Sequence, residues 1–266
     1  MTKKPIKLIA VDLDHTLLRT DKNISKYTKS VFERVREKGI LIAYVTARAQ
    51  KSSERFCRQI EPHVFVANSG ALVRVGDDII YSAPMSKSDA SGLVERFAAH
   101  PGVEQIGLET VDNYYSSKSF DPSWGSYEDY AHAIITDFTE QKDFGDVYKI
   151  SVLAKDANVP KSIADDFPDI SFISYREEHW HTFRTTTASK EIGLLEACKA
   201  YGISLENVVA FGDDLNDIGM LKAAGIGVAV GNALPEVKAA ADYVCGDCDD
   251  DGVARWIESV LTKSSQ

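Results

Sequence analysis

Short apolar runs without polar alternation recur in the first quarter of the chain: Ile6 to Val11, Ile40 to Val45 and Val64 to Ala67. Runs of this length, rich in β-branched and aromatic side chains, have the pattern of parallel strands covered on both faces. Between the first two, Ile24, Tyr27, Val31 and Val35 fall on one helical face, and Gly39 stands where a C-terminal cap belongs, so the segment predicts a βαβ unit. The pattern returns in Val208 to Phe211, Ile226 to Val230 and Asp242 to Cys245, separated by helical stretches at Ile218 to Ala224 and Pro235 to Ala241. Both ends of the chain thus predict one α/β fold, a doubly wound and mostly parallel Rossmann-like sheet.

The middle has a different rhythm. Ala71 to Val75 and Ile79 to Ala83, joined by Gly76-Asp77-Asp78, predict a hairpin. Beyond it, half-polar strands such as Val147 to Ala154 alternate with helices such as Ser88 to Ala99, which suits a sheet with one wet face. The expected organisation is a core from residues 1–83 and 187–266 with an inserted α+β domain at 84–186.

Composition narrows the function classes. At 266 residues, 44% apolar and 26% charged, the chain reads as an ordinary globular protein able to bury a sizeable interior. A formal charge of −10 opposes binding to a nucleic-acid backbone, so a small anionic substrate needs a local positive site or a metal. No apolar run approaches the roughly 18 residues of a membrane span. Four cysteines make no disulfide framework, and without a secretion signal the expected compartment is the reducing cytoplasm.

The chemistry concentrates at strand ends. The first strand ends in Asp12-Leu13-Asp14-His15-Thr16, two carboxylates on one side of an extended chain, which repel unless a cation sits between them. The second ends in Thr46-Ala47-Arg48, where a hydroxyl and a cation meet; taken singly, Thr46 reads as a helix N-cap. Gly212-Asp213-Asp214-Leu215-Asn216-Asp217 crowds three carboxylates and an amide into one turn, more than a cap requires. Such oxygen-only sets suit Mg²⁺. Lys190, in Ser189-Lys190-Glu191-Ile192, opens a helix where a cation opposes the dipole, a conflict that a bound anion removes.

In this order, Asp12-Leu-Asp14-x-Thr16, Thr46, Lys190 and Gly212-Asp213-Asp214-x-Asn216-Asp217 resemble the four motifs of haloacid dehalogenase (HAD) superfamily phosphatases. The long insert after the second motif, the wording around Met220, Asn68-Ser69-Gly70-Ala71 and Asp251-Gly252-Val253 are similar to the Cof-type group with its large α/β cap. The resemblance implies that Asp12 forms a phosphoaspartate, that Asp14 protonates the leaving alcohol and then deprotonates water, and that Thr46, Ala47, Lys190 and Asn216 hold the phosphoryl group. Mg²⁺ is implied on Asp12, the Asp14 carbonyl and Asp213, with Asp217 on its waters. The implied substrate is a small phosphorylated metabolite, a sugar phosphate first and pyridoxal phosphate or flavin mononucleotide second, for a monomer or small homo-oligomer. His15 and Ala47 depart from the group, which usually has Gly at both positions.

Two alternatives stand beside this reading: a phosphomutase of the same superfamily, which returns the phosphate to a sugar, and a phosphate-responsive binding or switch module. The insert and the second carboxylate, Asp14, argue against the switch.

Other signals are weaker. Asp247, Asp249, Asp251, Gly252 and Glu258 satisfy EF-hand spacing, yet Ala254 occupies the usual large apolar position and the preceding segment reads as strand. Cys245-x-x-Cys248 has no second pair, and Gly225-x-Gly227 follows a helix, not a strand. His179-Trp180-His181 reads as ordinary strand alternation, and Tyr114, Trp124, Tyr127 and Trp180 are candidates for either core or substrate contact.

Overall fold

The computed structural model describes residues 4–123, 127–141, 143–174 and 179–263; Trp124 lies outside them. The chain opens with β1 (Leu8–Val11), α1 (Lys26–Glu37), β2 (Leu41–Val45), α2 (Glu54–Cys57), β3 (Val64–Ala67), β4 (Leu72–Val75) and β5 (Asp78–Ser82). There follow α3 (Lys87–Ala99), β6 (Gln105–Glu109), β7 (Tyr114–Ser116), α4 (Tyr127–Tyr130), β8 (Ile134–Ile135), β9 (Lys149–Leu153), α5 (Asn158–Ala164), β10 (Ile170–Ser174) and β11 (Trp180–Thr185). The last third holds α6 (Lys190–Ala200), β12 (Val208–Gly212), α7 (Ile218–Ala223), β13 (Ile226–Ala229), α8 (Pro235–Ala240), β14 (Tyr243–Val244) and α9 (Gly252–Lys263). No described helix is long and apolar enough to cross a membrane.

Contacts divide the chain into two units: residues 1–50, 54–81 and 189–266 form one, and 51–53 with 82–188 the other. The first contains an eight-stranded sheet in the order β14-β13-β12-β1-β2-β3-β4-β5. β1 is its pivot, parallel to β12 on one side and β2 on the other, with Val11 opposite both Phe211 and Tyr44. β1, β3 and β12 are buried along their whole length, as uninterrupted apolar runs require between two helical layers. The direction of winding reverses at β1, so the groups leaving the carboxyl ends of β1, β2 and β12 converge at the switch point where α/β sheets place ligands.

Local signals explain the elements between the strands. Ser25 caps α1, its hydroxyl accepting from Thr28 N at 3.0 Å, and Gly39 at φ 70° takes the left-handed position beyond its end. β14 is shorter than its apolar run predicts: Asp242 turns its carboxylate onto Gly227 N at 2.8 Å, leaving a two-residue edge strand with Tyr243 and Val244 exposed.

The second unit has a six-stranded sheet, β10-β11-β9-β6-β7-β8. One face buries Ile106, Leu108, Ile150, Val152 and Phe183 with Leu93 and Phe97 of α3. The polar positions of the alternation are not wet as their pattern predicts: Gln105, Glu109, Lys149, Ser151 and Thr182 are buried. Glu109 and Lys149 face each other across β6 and β9 as an ion pair at 2.6 Å, and Tyr114, Phe120, Tyr130 and Trp180 pack ring on ring. His181 is buried, stacked on Phe172, with Nε2 3.0 Å from the Ala154 carbonyl, the ordinary packing role its alternation suggests.

Candidate active site

Asp12 is the first residue beyond β1, anchored by its N–H on the Phe211 carbonyl at 3.1 Å. The chain then turns through residues 13–17, closed by Leu17 N on the Asp12 carbonyl at 3.2 Å, with His15 exposed and left-handed at φ 55°. This turn replaces the extended segment that the two carboxylates suggested, and it separates their surroundings.

Lys190 stands between two buried carboxylates, its Nζ 2.8 Å from Asp12 Oδ1 and 2.6 Å from Asp217 Oδ1. It opens α6, whose cap is Ser189, and it is 2% exposed. The anions that offset the helix dipole are therefore these carboxylates. Burial works against the ammonium, but Asp12 and Asp217 raise its pKa above the ordinary lysine value.

The 213–217 turn is organised by Asp217. Its Oδ2 accepts from the N–H groups of Asp213 and Asp214, both at 3.0 Å, while Asp214 caps the turn in return. Asp213 accepts from Thr16 Oγ1 at 2.7 Å, tying this turn to the β1 loop. Oxygens of Asp12, Asp213 and Asp217 lie within 4.8 Å of one another. Burial, with Asp217 next, pushes Asp213 up to about 7; burial raises Asp12 well above the usual carboxylate value, against the pull of Lys190. Asn216 Oδ1 is buried without a protein partner.

Asp14 belongs to a second cluster. Arg48 reaches it through Nε at 2.6 Å and a terminal nitrogen at 2.8 Å, and Lys22 Nζ at 2.7 Å. Burial alone would raise the Asp14 pKa; Arg48 and Lys22 overturn that and hold it well below the usual carboxylate range. The cation that the paired carboxylates require is thus supplied twice, by Lys190 at Asp12 and by Arg48 with Lys22 at Asp14. Lys22 escaped the sequence reading because its turn, left-handed at φ 60°, carries no motif that points back to Asp14.

Thr46 is not an N-cap. Its hydroxyl accepts from Arg48 N at 3.2 Å, and its carbonyl accepts from Ser69 N at 2.9 Å; Ala47 beside it is half-buried. Asn68, Ser69 and Gly70 are all left-handed, at φ 50°, 55° and 95°, in a turn that also binds the Arg48 carbonyl through Asn68 N at 3.0 Å. A Cβ on Gly70 would lie 1.9 Å from the Ser189 carbonyl oxygen, against the start of α6. Gly70→Ala is therefore expected to destabilise the fold by about 3 kcal/mol and to displace Lys190. Denaturant unfolding and phosphate release measured together check this; native values in both would remove Gly70 from the support of Lys190.

The acidic run before α9 is engaged elsewhere. Asp249 accepts from Thr20, Asp251 from Arg19 and Thr28, and Glu258 from Tyr27 and Arg34. Asp249 and Asp251 fasten the loop to the segment after β1 and to Thr28 of α1, Glu258 ties α9 to α1, and the four cysteines are free thiols.

A family model of haloacid dehalogenase-like hydrolases matches residues 9–257, and the chain belongs to that family. It is 31% identical to the pyridoxal phosphate phosphatase of Escherichia coli over 96% of this chain and 98% of the relative. It is 30% identical to a 5-amino-6-(5-phospho-D-ribitylamino)uracil phosphatase of Bacillus subtilis over 98% of this chain and 100% of the relative. A haloacid dehalogenase-like hydrolase from Bacteroides thetaiotaomicron aligns with a TM-score of 0.84 at 26% identity, covering 96% of this chain and 99% of that one. A subclass IIB sugar phosphatase of the family shares the fold, at a TM-score of 0.81 and 24% identity over 96% of this chain and 98% of that one. The chain is a phosphatase of this family.

Proposed function

We propose that the chain catalyses Mg²⁺-dependent hydrolysis of a small phosphomonoester through a phosphoaspartate on Asp12. The observation that carries this reading is the buried Asp12 carboxylate, 2.8 Å from Lys190 and within 4.8 Å of Asp213 and Asp217 oxygens. In the first step an Asp12 oxygen bonds to phosphorus as the ester P–O bond breaks; in the second, water attacks phosphorus, releasing inorganic phosphate and the free carboxylate. Lys190, Thr46, the Ala47 N–H and Asn216 hold the phosphoryl oxygens.

The donor set fits a hard divalent cation: it is all oxygen, and without a cation Asp213 is held up to about 7. Asp12, the Asp14 carbonyl and Asp213 would hold Mg²⁺, with Asp217, whose oxygens already serve Lys190 and two backbone N–H groups, acting through water. When bound, the ion neutralises charge on the transferring phosphoryl group. Because protons compete with it at Asp213, apparent Mg²⁺ affinity is expected to rise with pH up to about 7 and level off above. Stability has the opposite sign without metal: a carboxyl raised above 3.8 in the folded state contributes stability that is lost as pH rises through about 7. Thermal unfolding across pH 5 to 9, in EDTA and in Mg²⁺, checks both signs.

Asp14 is the acid and base of this reading. Its pairs with Arg48 and Lys22 favour the carboxylate, the form that takes a proton from water in the second step. Delivering a proton to the leaving oxygen requires Asp14 first to gain one, which is favoured when a leaving group takes over donors of Arg48. Asp14→Asn is expected to slow turnover by about 10²–10⁴ with Mg²⁺ binding largely kept, because the carbonyl remains. Unchanged turnover would remove Asp14 from the chemistry.

The inserted unit is the proposed source of selectivity. The B. subtilis relative's name specifies a phosphoribityl group on a pyrimidine, and that of the E. coli relative specifies pyridoxal phosphate. Both are primary phosphate esters on a small molecule with a heteroaromatic ring, which ranks such compounds beside sugar phosphates. The test is phosphate release from a panel of sugar phosphates, pyridoxal phosphate, flavin mononucleotide and the phosphoribityl compound, with Mg²⁺ and with EDTA. Metal-dependent release supports the reading; phosphate that moves within a sugar without release would favour the mutase, and release unaffected by EDTA would exclude the metal.

A further inference from the structure

The turn after β13 joins the two acidic loops. Val230 N donates to the Gly212 carbonyl at 3.2 Å and Leu234 N to the Asp213 carbonyl at 3.0 Å, so this turn is tied to the end of β12 and the start of the 213–217 loop. From the same turn, Asn232 Nδ2 donates to the His15 carbonyl at 2.7 Å, while its Oδ1 accepts from Cys248 N at 3.0 Å. Asn232 lies at the surface, yet both ends of its carboxamide are engaged, one on the catalytic turn and the other on the loop before α9.

His15 is the weak point of that turn. At φ 55° and ψ 10° it occupies the left-handed region, which costs a non-glycine residue about 1 kcal/mol or more. Rotation about this residue sets the angle between the Asp14 carbonyl and the peptide that follows, hence where the Asp14 carbonyl points. A bond to the His15 carbonyl opposes rotation to negative φ.

We propose that Asn232 is a positioning residue for the phosphatase site: by binding the His15 carbonyl it keeps the strained 13–17 turn in the conformation that aims the Asp14 carbonyl at the metal position. The inference rests on the proposed function, since it assumes that this carbonyl and Asp213 share a cation. It accounts for how His stands at a position suited to glycine: the carboxamide supplies from outside what glycine would supply by its own freedom.

The test compares the full-length protein with Asn232→Ala, His15→Gly and the double variant. Two quantities are read: the Mg²⁺ concentration giving half-maximal thermal stabilisation without substrate, and kcat with KM. Asn232→Ala is expected to raise the Mg²⁺ midpoint and lower kcat by about five- to tenfold, the scale of one hydrogen bond, with KM within about twofold. In the His15→Gly background the same change is expected to cost no more than about twofold, because glycine populates positive φ about as readily as negative. Equal losses in both backgrounds would overturn the proposal, since a merely structural role for Asn232 is blind to residue 15; so would a native midpoint in Asn232→Ala. Should Asn232→Ala not fold, Asn232→Ser carries the same comparison. Mg²⁺ stabilisation absent from the native protein would instead defeat the proposed function itself, a result separable from silence of residue 232.

Discussion

Asp12→Asn is expected to lower phosphate release by at least about 10⁴-fold while leaving the fold as stable as the native protein or more so. The two halves of this expectation have separate causes. An amide cannot form the proposed phosphoaspartate, so that covalent route is closed. Stability follows from the surroundings: burial and the neighbouring carboxylates raise the Asp12 pKa, which means that the folded protein resists ionising it. Asparagine keeps the shape without the charge, and Lys190 keeps Asp217 at 2.6 Å. Steady-state release on the best substrate and denaturant unfolding of the same preparation measure both. Activity within tenfold of native would rule out Asp12 as the nucleophile. A loss of activity matched by a large loss of stability would assign it a structural task instead.

The arrangement was largely legible in the sequence where one strong rule governs it. Uninterrupted apolar runs mark buried parallel strands, and β1, β2 and β12 were readable on that ground. Because polar residues cluster immediately after those runs, Asp12, Thr46 and Asp213 were expected at one sheet edge, and the register of β1 with β2 and β12 brings them there. Lys190 was readable from its conflict with the helix dipole. What stayed hidden depends on contacts that no short-range pattern encodes. Lys22 reaches Asp14 only because a left-handed turn folds it back, and Asn232 reaches His15 across most of the chain. The alternation in the inserted unit predicts one wet face, yet Glu109 and Lys149 are buried there and neutralise each other, so the polar pattern survives without the solvent it implies. The EF-hand spacing shows the converse: its carboxylates have the right intervals, yet Asp247 caps its own turn on Asp249 N, and Asp249, Asp251 and Glu258 are drawn to donors on the loop after β1 or on α1.

Lys190→Met is expected to be the most damaging single change. Methionine fills much of the same volume, so the loss isolates charge: Asp12 and Asp217, both buried, would face each other with no cation between them. Removing one partner of a buried ion pair costs about 3–5 kcal/mol, which for a chain of this size corresponds to a fall in melting temperature of about 10 °C. Phosphate release would fall with it, because the group proposed to hold the phosphoryl oxygens is gone. The sign with pH separates charge from packing. In the native protein the Lys190 pKa is raised by the carboxylates, so its contribution is fully present below the unfolded lysine value and constant across neutral pH. In the variant the folded state would favour protonated carboxyls that ionise on unfolding, so stability falls as pH rises from about 5 to 8. Adding Asp12→Asn to Lys190→Met removes one of the uncompensated charges and is expected to recover a large part of the stability and none of the activity. If melting curves show no pH dependence in the single variant and no recovery in the double, Lys190 supports the site by packing, and the electrostatic account of the Asp12–Lys190–Asp217 cluster fails.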